Sequence, residues 1–295
     1  MATRASAKPA KASKTVKSSG VFKLNEKGDN VTSQHGEDGI LAYLIQNLTG
    51  IPHTCCEFGA WDGKFMSNAY TLWHDKKWAA LLIEADKERY DALVRDYSKK
   101  YKVTVLNAFI TPQGDTCLDA LAKKAGFATE LGMLSIDIDS TDYHIWKSVK
   151  VLNPWIVVIE HNYTIPPWID YNDPEGEVFM RASAKAMERL GREKGYKLVC
   201  CTLTNCIFVR ADKFNPAVMP DLPVEALFDY SGMVNVVMHS ALNDQNVRPV
   251  FFGANPKMRW LLRLYIVVQR LLGGGKWQRV SPAMKKALKA AGLSL

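Results

Sequence analysis

Four short apolar runs of this chain end in acids, and carboxylates gathered in that way can bind a ligand or move a proton. The runs close as Glu57-Phe58-Gly59-Ala60-Trp61-Asp62-Gly63, Ile83-Glu84-Ala85-Asp86, Asp137-Ile138-Asp139 and Glu160-His161-Asn162. One such acid is an ordinary surface group or helix cap. Repetition on four runs points to a shared cleft. The first turn, GAWDG, is poor in glycine for a dinucleotide site and carries acids at Glu57 and Asp62, which repel phosphate rather than cradle it. Glu84 follows Gly59 by 25 residues, where a carboxylate can accept both hydroxyls of a ribose. Together these acids suit an uncharged or cationic nucleoside without phosphates.

His161, Asp139 and Glu160 are the candidates for a group that takes a proton, His161 first because imidazole titrates nearest neutrality. Asp137, Asp139, Glu160 and Asn162 also offer oxygen ligands of the kind Mg²⁺ takes, should the reaction be metal-assisted. The other histidines are scattered without an HxxH or HExxH spacing, so zinc is not expected. Neither GxSxG nor a P-loop is present, which argues against a serine hydrolase of that type and an NTPase. Six cysteines, none spaced CxxC, read as reduced core residues.

The elements that must position these groups alternate. Cys55–Ala60, Ala79–Ala85, Val103–Ile110, Leu131–Asp139 and Trp155–Asn162 read as strands. They are continuous apolar runs, as strands covered on both faces are. Helical patterns lie between them at Ser67–His74, Asp86–Tyr101, Cys117–Ala125 and from Asp142, with Ser67 or Asn68 and Asp86 as caps. A long helix is expected over Val178–Lys194. Tyr196–Thr202 and Cys206–Arg210 are then too close for a crossover and must form an antiparallel hairpin. The fold class is therefore α/β: a doubly wound, mostly parallel seven-stranded sheet with a terminal antiparallel hairpin.

The formal charge of +8 sits at the ends: +5 in residues 1–19 and +9 in 256–295, leaving 20–255 at −6. The basic pI is thus no sign of specific nucleic-acid binding. Residues 1–30 read as a disordered basic tail without a secretory h-region, or an organellar transit peptide in a eukaryotic source. The catalytic domain spans 31–255, with a core at about 50–212 and a lid or wrap over 213–255. Residues 256–295 form a basic amphipathic extension. Arg259, Arg263 and Arg270 fall within about 40° of one another on a helix over Met258–Leu272. That helix suits a membrane interface, or docking on the body or on a second copy in a homodimer. No apolar run is long enough to span a bilayer, so a cytoplasmic protein, with peripheral contact at the inner membrane face, is expected.

S-adenosylmethionine, a sulfonium nucleoside, answers the description of the ligand. EFGAWDG, LIEAD, LSIDID and IEHN, with the terminal hairpin, resemble a class I S-adenosylmethionine-dependent methyltransferase of Rossmann-like fold. The phrases Ser33-Gln34-His35-Gly36-Glu37-Asp38-Gly39, Ser67-Asn68-Ala69-Tyr70, Asp139-Ser140-Thr141-Asp142-Tyr143-His144-Ile145-Trp146 and Thr164-Ile165-Pro166-Pro167 resemble FkbM-like methyltransferases, over roughly residues 31–210. Trp61 stands where the middle glycine of GxGxG would be. The resemblance implies that Glu57, Gly59, Ala60, Asp62, Gly63 and Asn68 hold the methionine moiety. It places Glu84 and Ala85 at the ribose, Asn107 near the adenine and Asp137 under the methyl donor, with Ser33–Asp38 closing from the N-terminal side. The implied acceptor is a hydroxyl on a sugar, glycolipid or secondary metabolite. The rival readings are a non-catalytic binding module at a membrane surface and an NAD-dependent oxidoreductase.

Overall fold

A computed structural model describes residues 22–230. The readings for the N-terminal tail, residues 231–255 and the C-terminal extension lie outside the described residues.

Seven strands form one sheet: β1 (Thr54–Phe58), β2 (Ala79–Glu84), β3 (Val103–Asn107), β4 (Glu130–Ile136), β5 (Asn153–Glu160), β6 (Tyr196–Cys201) and β7 (Asn205–Arg210). Their order is β3-β2-β1-β4-β5-β7-β6. The first five run parallel, while β7 pairs antiparallel with both β5 and β6. This is the expected α/β arrangement, hairpin included. The chain reverses direction at β1, where strand order turns from β2 to β4, and such a switch point opens a crevice beyond the carboxyl ends.

Alternation along each strand builds two cores. Cys56, Phe58, Leu81, Ile83, Leu134 and Ile159 face the helices α3 (Leu118–Lys124), α4 (Asp142–Ser148), α5 (Ala184–Glu193) and α6 (Val224–Leu227). Cys55, Leu82, Met133 and Val158 face α1 (Glu37–Asn47) and α2 (Lys87–Leu93). Burial on both faces is why these strands carry no polar alternation.

Three helical expectations are corrected. Ser67–His74 is not a regular helix: the Ser67 hydroxyl accepts the N–H groups of Ala69 and Tyr70, and the chain then makes a π-helical turn at Thr71–Asp75. The helix expected to Tyr101 ends at Leu93 and widens into a π-helical turn over Val94–Ser98, which sets Tyr97 against Trp73 with ring centroids 5.0 Å apart. Asp86 does cap α2, accepting the Arg89 N–H at 3.0 Å. The helix expected from Val178 begins only at Ala184, capped by Ser183. Residues 178–183 instead form a loop, because buried Asp173 accepts the N–H groups of Phe179, Met180 and Arg181. Those donors are then unavailable to start a helix, and Ser183 is the better cap. Among the described residues no helix is long and apolar enough to cross a membrane.

Candidate active site

Two adjoining clefts open at the carboxyl ends of β1, β2, β4 and β5, each of about 260 Å³. They share Phe58, Gly59, Trp61 and Asp139 as a common wall. The first is the more apolar, walled by Ile83, Ala85, Ala108, Phe109, Ile110 and Ile138, with Glu84 at its end. The second is walled by Glu57, Ala60, Ser67, Asn68, Asp137 and Glu160, with Gln34 entering from the segment before α1.

The β1 turn is stitched to β2. Gly59 and Ala60 donate to the Ile83 carbonyl, and the Trp61 N–H donates to Glu84 Oε2 at 2.7 Å. Glu84 Oε1 accepts the Asp86 N–H at 2.9 Å. Each carboxylate oxygen keeps a lone pair for a ligand hydroxyl. Gly59 has φ +73°, and a Cβ there would stand 2.1 Å from the Asp137 carbonyl oxygen. Only glycine allows β1 and β4 to approach so closely at this point. Asp62 stays on the loop, its Oδ1 accepting the N–H groups of Lys64 and Phe65. Gly63, with φ +79°, packs against Leu93 and Tyr97 and shapes the turn without lining a cleft.

Glu57 is buried at the floor of the second cleft. Ser67 Oγ donates to it at 2.5 Å and the Asn68 N–H at 2.9 Å, while Asn68 Nδ2 reaches Ser135 beside it on β4. Burial pushes its carboxyl up, against these hydrogen bonds. Asp137 is pushed up to about 7, first by burial, then by the charges of Asp142, Asp139 and Glu57. Glu160 is raised to about 8, again chiefly by burial. Asp142 caps the β4 turn by accepting the N–H groups of Ile138 and Ser140, which fixes the backbone that presents Asp137 and Asp139.

Sequence reasoning missed the cation of this site. Arg181 Nη1 lies 2.8 Å from Asp139 Oδ1 and pairs with Glu160. Its backbone is held at φ +61° by the Asp173 clasp. No periodic signal marks it, since 178–194 reads as one helix; the sequence clue was the isolated Asp173 upstream. Arg89, also missed, lays its guanidinium 3.4 Å above the centre of the Trp61 ring at the mouth of the first cleft. Five non-glycine residues among those described adopt positive φ, and four of them stand at the clefts: Trp61, Met66, Asp139 and Arg181. Backbone strain concentrated in this way marks functional sites.

Three expected residues are placed elsewhere. His161 lines neither cleft: it follows Glu160 on the strand, so its side chain turns to the other face, buried against Phe228 at 5.6 Å. Burial lowers its pKa to about 4, and a neutral ring without access to the cleft is no base for the reaction. Asn107 turns its amide to the carbonyls of Glu84 and Ala85, bracing the end of β2 rather than lining the cleft. Asn162 is consumed by its own turn, its Nδ2 on Met180 and its Oδ1 on Thr164. That leaves Asp137, Asp139 and Glu160, with ligand oxygens within 4.8 Å of one another, as the group able to hold a cation. The Arg181 guanidinium already pairs with two of the three.

His161 yields a prediction. Its pKa falls from 6.5 unfolded to about 4 folded. Between those values the unfolded chain binds a proton that the native state refuses. Its contribution is therefore intact above pH 6.5 and lost as pH drops toward 4. Replacing His161→Gln should flatten the pH dependence of the unfolding free energy by about one proton in that window. Urea melts at several pH values read this directly, and an unchanged slope contradicts the placement.

No family model matches the chain. A probable carboxypeptidase of Ajellomyces capsulatus is 34% identical over 140 residues, which span 43% of this chain and 29% of that protein. The chain thus spans under a third of that relative. Among solved structures, the carbon methyltransferase CurJ aligns over 59% of this chain and 52% of its own, at 9% identity and TM-score 0.42. The citrinin polyketide synthase CMeT domain aligns over 59% and 51%, at 10% identity and TM-score 0.40. TrmK of M. capricolum, solved with S-adenosylhomocysteine, aligns over 78% and 95%, at 11% identity and TM-score 0.39.

Proposed function

We propose that this chain is an S-adenosylmethionine-dependent methyltransferase that methylates a hydroxyl group of an uncharged acceptor. One observation carries the reading: an apolar cleft ending in Glu84 joins, over the cramped Gly59, a second cleft walled by Glu57, Asp137 and Glu160. The first suits an adenosine, with Glu84 at the ribose and Ala108, Phe109 and Ile138 around the base. The second suits the amino group and the sulfonium, both cationic, among carboxylates. The donor set thus fits this cofactor and disfavours NAD, whose pyrophosphate would meet Glu57 and Asp62. The FkbM-like assignment belongs to the same proposal and rests on the sequence phrases around these clefts.

When bound, the cofactor supplies a methyl group on sulfur that an oxygen can attack in line. The protein's share is alignment, worth several kcal/mol, and proton management. The proton of the acceptor hydroxyl passes to Asp137. Its ordinary pKa of 3.8 is raised to about 7, so it is both partly ionised and basic enough near neutrality. Glu160 holds Arg181 over the cleft, and Arg181 supplies positive charge beside the reacting oxygen without a metal ion. Asp139 completes that ion pair. Asp137 takes the base role that the sequence had suggested for His161.

Calorimetry tests the reading. S-adenosylhomocysteine should bind with a micromolar Kd and NAD should not bind. The absence of heat with S-adenosylhomocysteine and S-adenosylmethionine would remove the enzyme reading and favour a binding module.

A further inference from the structure

We infer that the acceptor is an amphiphile: an uncharged polyhydroxyl head that enters the acid-walled cleft, on an apolar chain that lies across the rim. The inference rests on the methyltransferase reading for the assignment of the two clefts, and it adds the chemical class of the acceptor.

Two observations meet here. The second cleft is walled by Glu57, Asp137, Asp139 and Glu160 with no lysine or arginine in its lining. The nearest guanidinium, Arg181, is already paired with Asp139 and Glu160. A phosphate, sulfate or carboxylate on the acceptor would meet unscreened negative charge, whereas sugar-like hydroxyls find acceptors on every wall.

The rim is the second observation. Phe65 and Met66 line this cleft yet remain about half exposed, at 55% and 45%. Val178 and Phe179 are exposed at 52% and 42% on the loop that brings Arg181 to the same cleft. None of the four is needed to close a core, and Met66 holds a positive φ to stand where it does. Trp61 and Phe109 border the other cleft, where an adenine ring would cover them. Exposed apolar side chains grouped at one cleft mouth mark a binding surface rather than scattered surface residues. A head without charge and a tail without polarity satisfy both the wall and the rim.

Three probes test this on the full chain, by calorimetry with and without S-adenosylhomocysteine: methyl β-glucoside, octyl β-glucoside below its micelle concentration, and octyl sulfate. Octyl glucoside should bind at least about tenfold more tightly than methyl glucoside, since a buried chain adds affinity with each methylene. The Phe179→Ser variant should shrink that gap to under about threefold while S-adenosylhomocysteine binds unchanged, because Phe179 lines neither cleft. Octyl sulfate should not compete with octyl glucoside. Equal binding of the two glucosides overturns the inference, whether or not the nucleoside binds. Octyl sulfate binding as tightly as octyl glucoside overturns it too. Failure of S-adenosylhomocysteine alone strikes the methyltransferase reading, and the glucoside comparison on the free protein still decides whether the rim holds a chain.

Discussion

Replacing Asp137→Asn should abolish methyl transfer and, at alkaline pH, make the fold more stable. Both effects have one cause. The carboxyl is held in a cleft where burial and three neighbouring acids lift its pKa from 3.8 to about 7. Below about pH 4 it is protonated in both folded and unfolded chains and contributes nothing. As pH rises toward 7, the native state keeps a proton that the unfolded chain has released, so native stability falls. Above 7 the full penalty of an unwelcome charge is present. Asparagine removes the charge with nearly the same shape. The variant should therefore gain roughly 2–4 kcal/mol at pH 8.5 and nothing near pH 4, one pKa unit being worth about 1.4 kcal/mol. Loss of the base should lower kcat by about 10²- to 10⁴-fold and erase the acid limb of the rate profile near neutrality. Urea melts at the two pH values and a single-turnover assay read the two halves separately. A variant that keeps its rate, or that loses stability at pH 8.5, contradicts the role given to Asp137.

Such a trade between stability and chemistry is the physical mark of a site, and part of it could be read in advance. Strands covered on both faces must be continuous apolar runs, so β1 to β5 stand out in the sequence. Any acid that terminates such a run is then placed at the carboxyl end by topology alone. Glu57, Glu84, Asp137 and Glu160 follow from that logic, and all four line the clefts. Side-chain direction is harder. His161 attracts by residue type, but adjacent strand residues point to opposite faces. With Glu160 in the cleft, His161 had to leave it. Alternation applied one residue further would have moved the proton-accepting role to the acids.

Arg181 was illegible for a different reason. Its segment has helical periodicity, and a single carboxylate ten to six residues upstream redirects it by taking three backbone donors. Those contacts are tertiary, and composition or spacing does not record them. The segment before α1 behaves in the same way. Asp38 accepts the N–H groups of Val31, Thr32 and Ser33, and Glu37 accepts from Thr202 and Asn205 of the hairpin turn. These acids look like candidates for chemistry in the sequence, yet they are staples that hold Gln34 at the second cleft.

Glu84 combines both kinds of work, so its removal should be the most damaging single change for ligand binding. Its two oxygens hold the N–H groups of Trp61 and Asp86, at 2.7 and 2.9 Å, and their remaining lone pairs face the first cleft. Glu84→Ala deletes two charge-assisted contacts to a ribose, each worth about 1.5–3 kcal/mol. It also frees the turn that sets Trp61 beneath Arg89. The expected loss in S-adenosylhomocysteine affinity is at least about 100-fold, or roughly 2.7 kcal/mol. The sheet itself should survive, because the Ile83 carbonyl still receives Gly59 and Ala60 and both cores are untouched. Glu84→Gln separates the two roles. Its one carbonyl oxygen can keep the Trp61 N–H, but its amide then faces the Asp86 N–H, donor against donor. Affinity should fall between those of the wild type and the alanine variant, and the Trp61 emission should stay close to that of the wild type. Calorimetry paired with tryptophan fluorescence makes the comparison. If the alanine variant bound the nucleoside normally, Glu84 would be a loop brace alone, and the first cleft would lose its claim to a ribose.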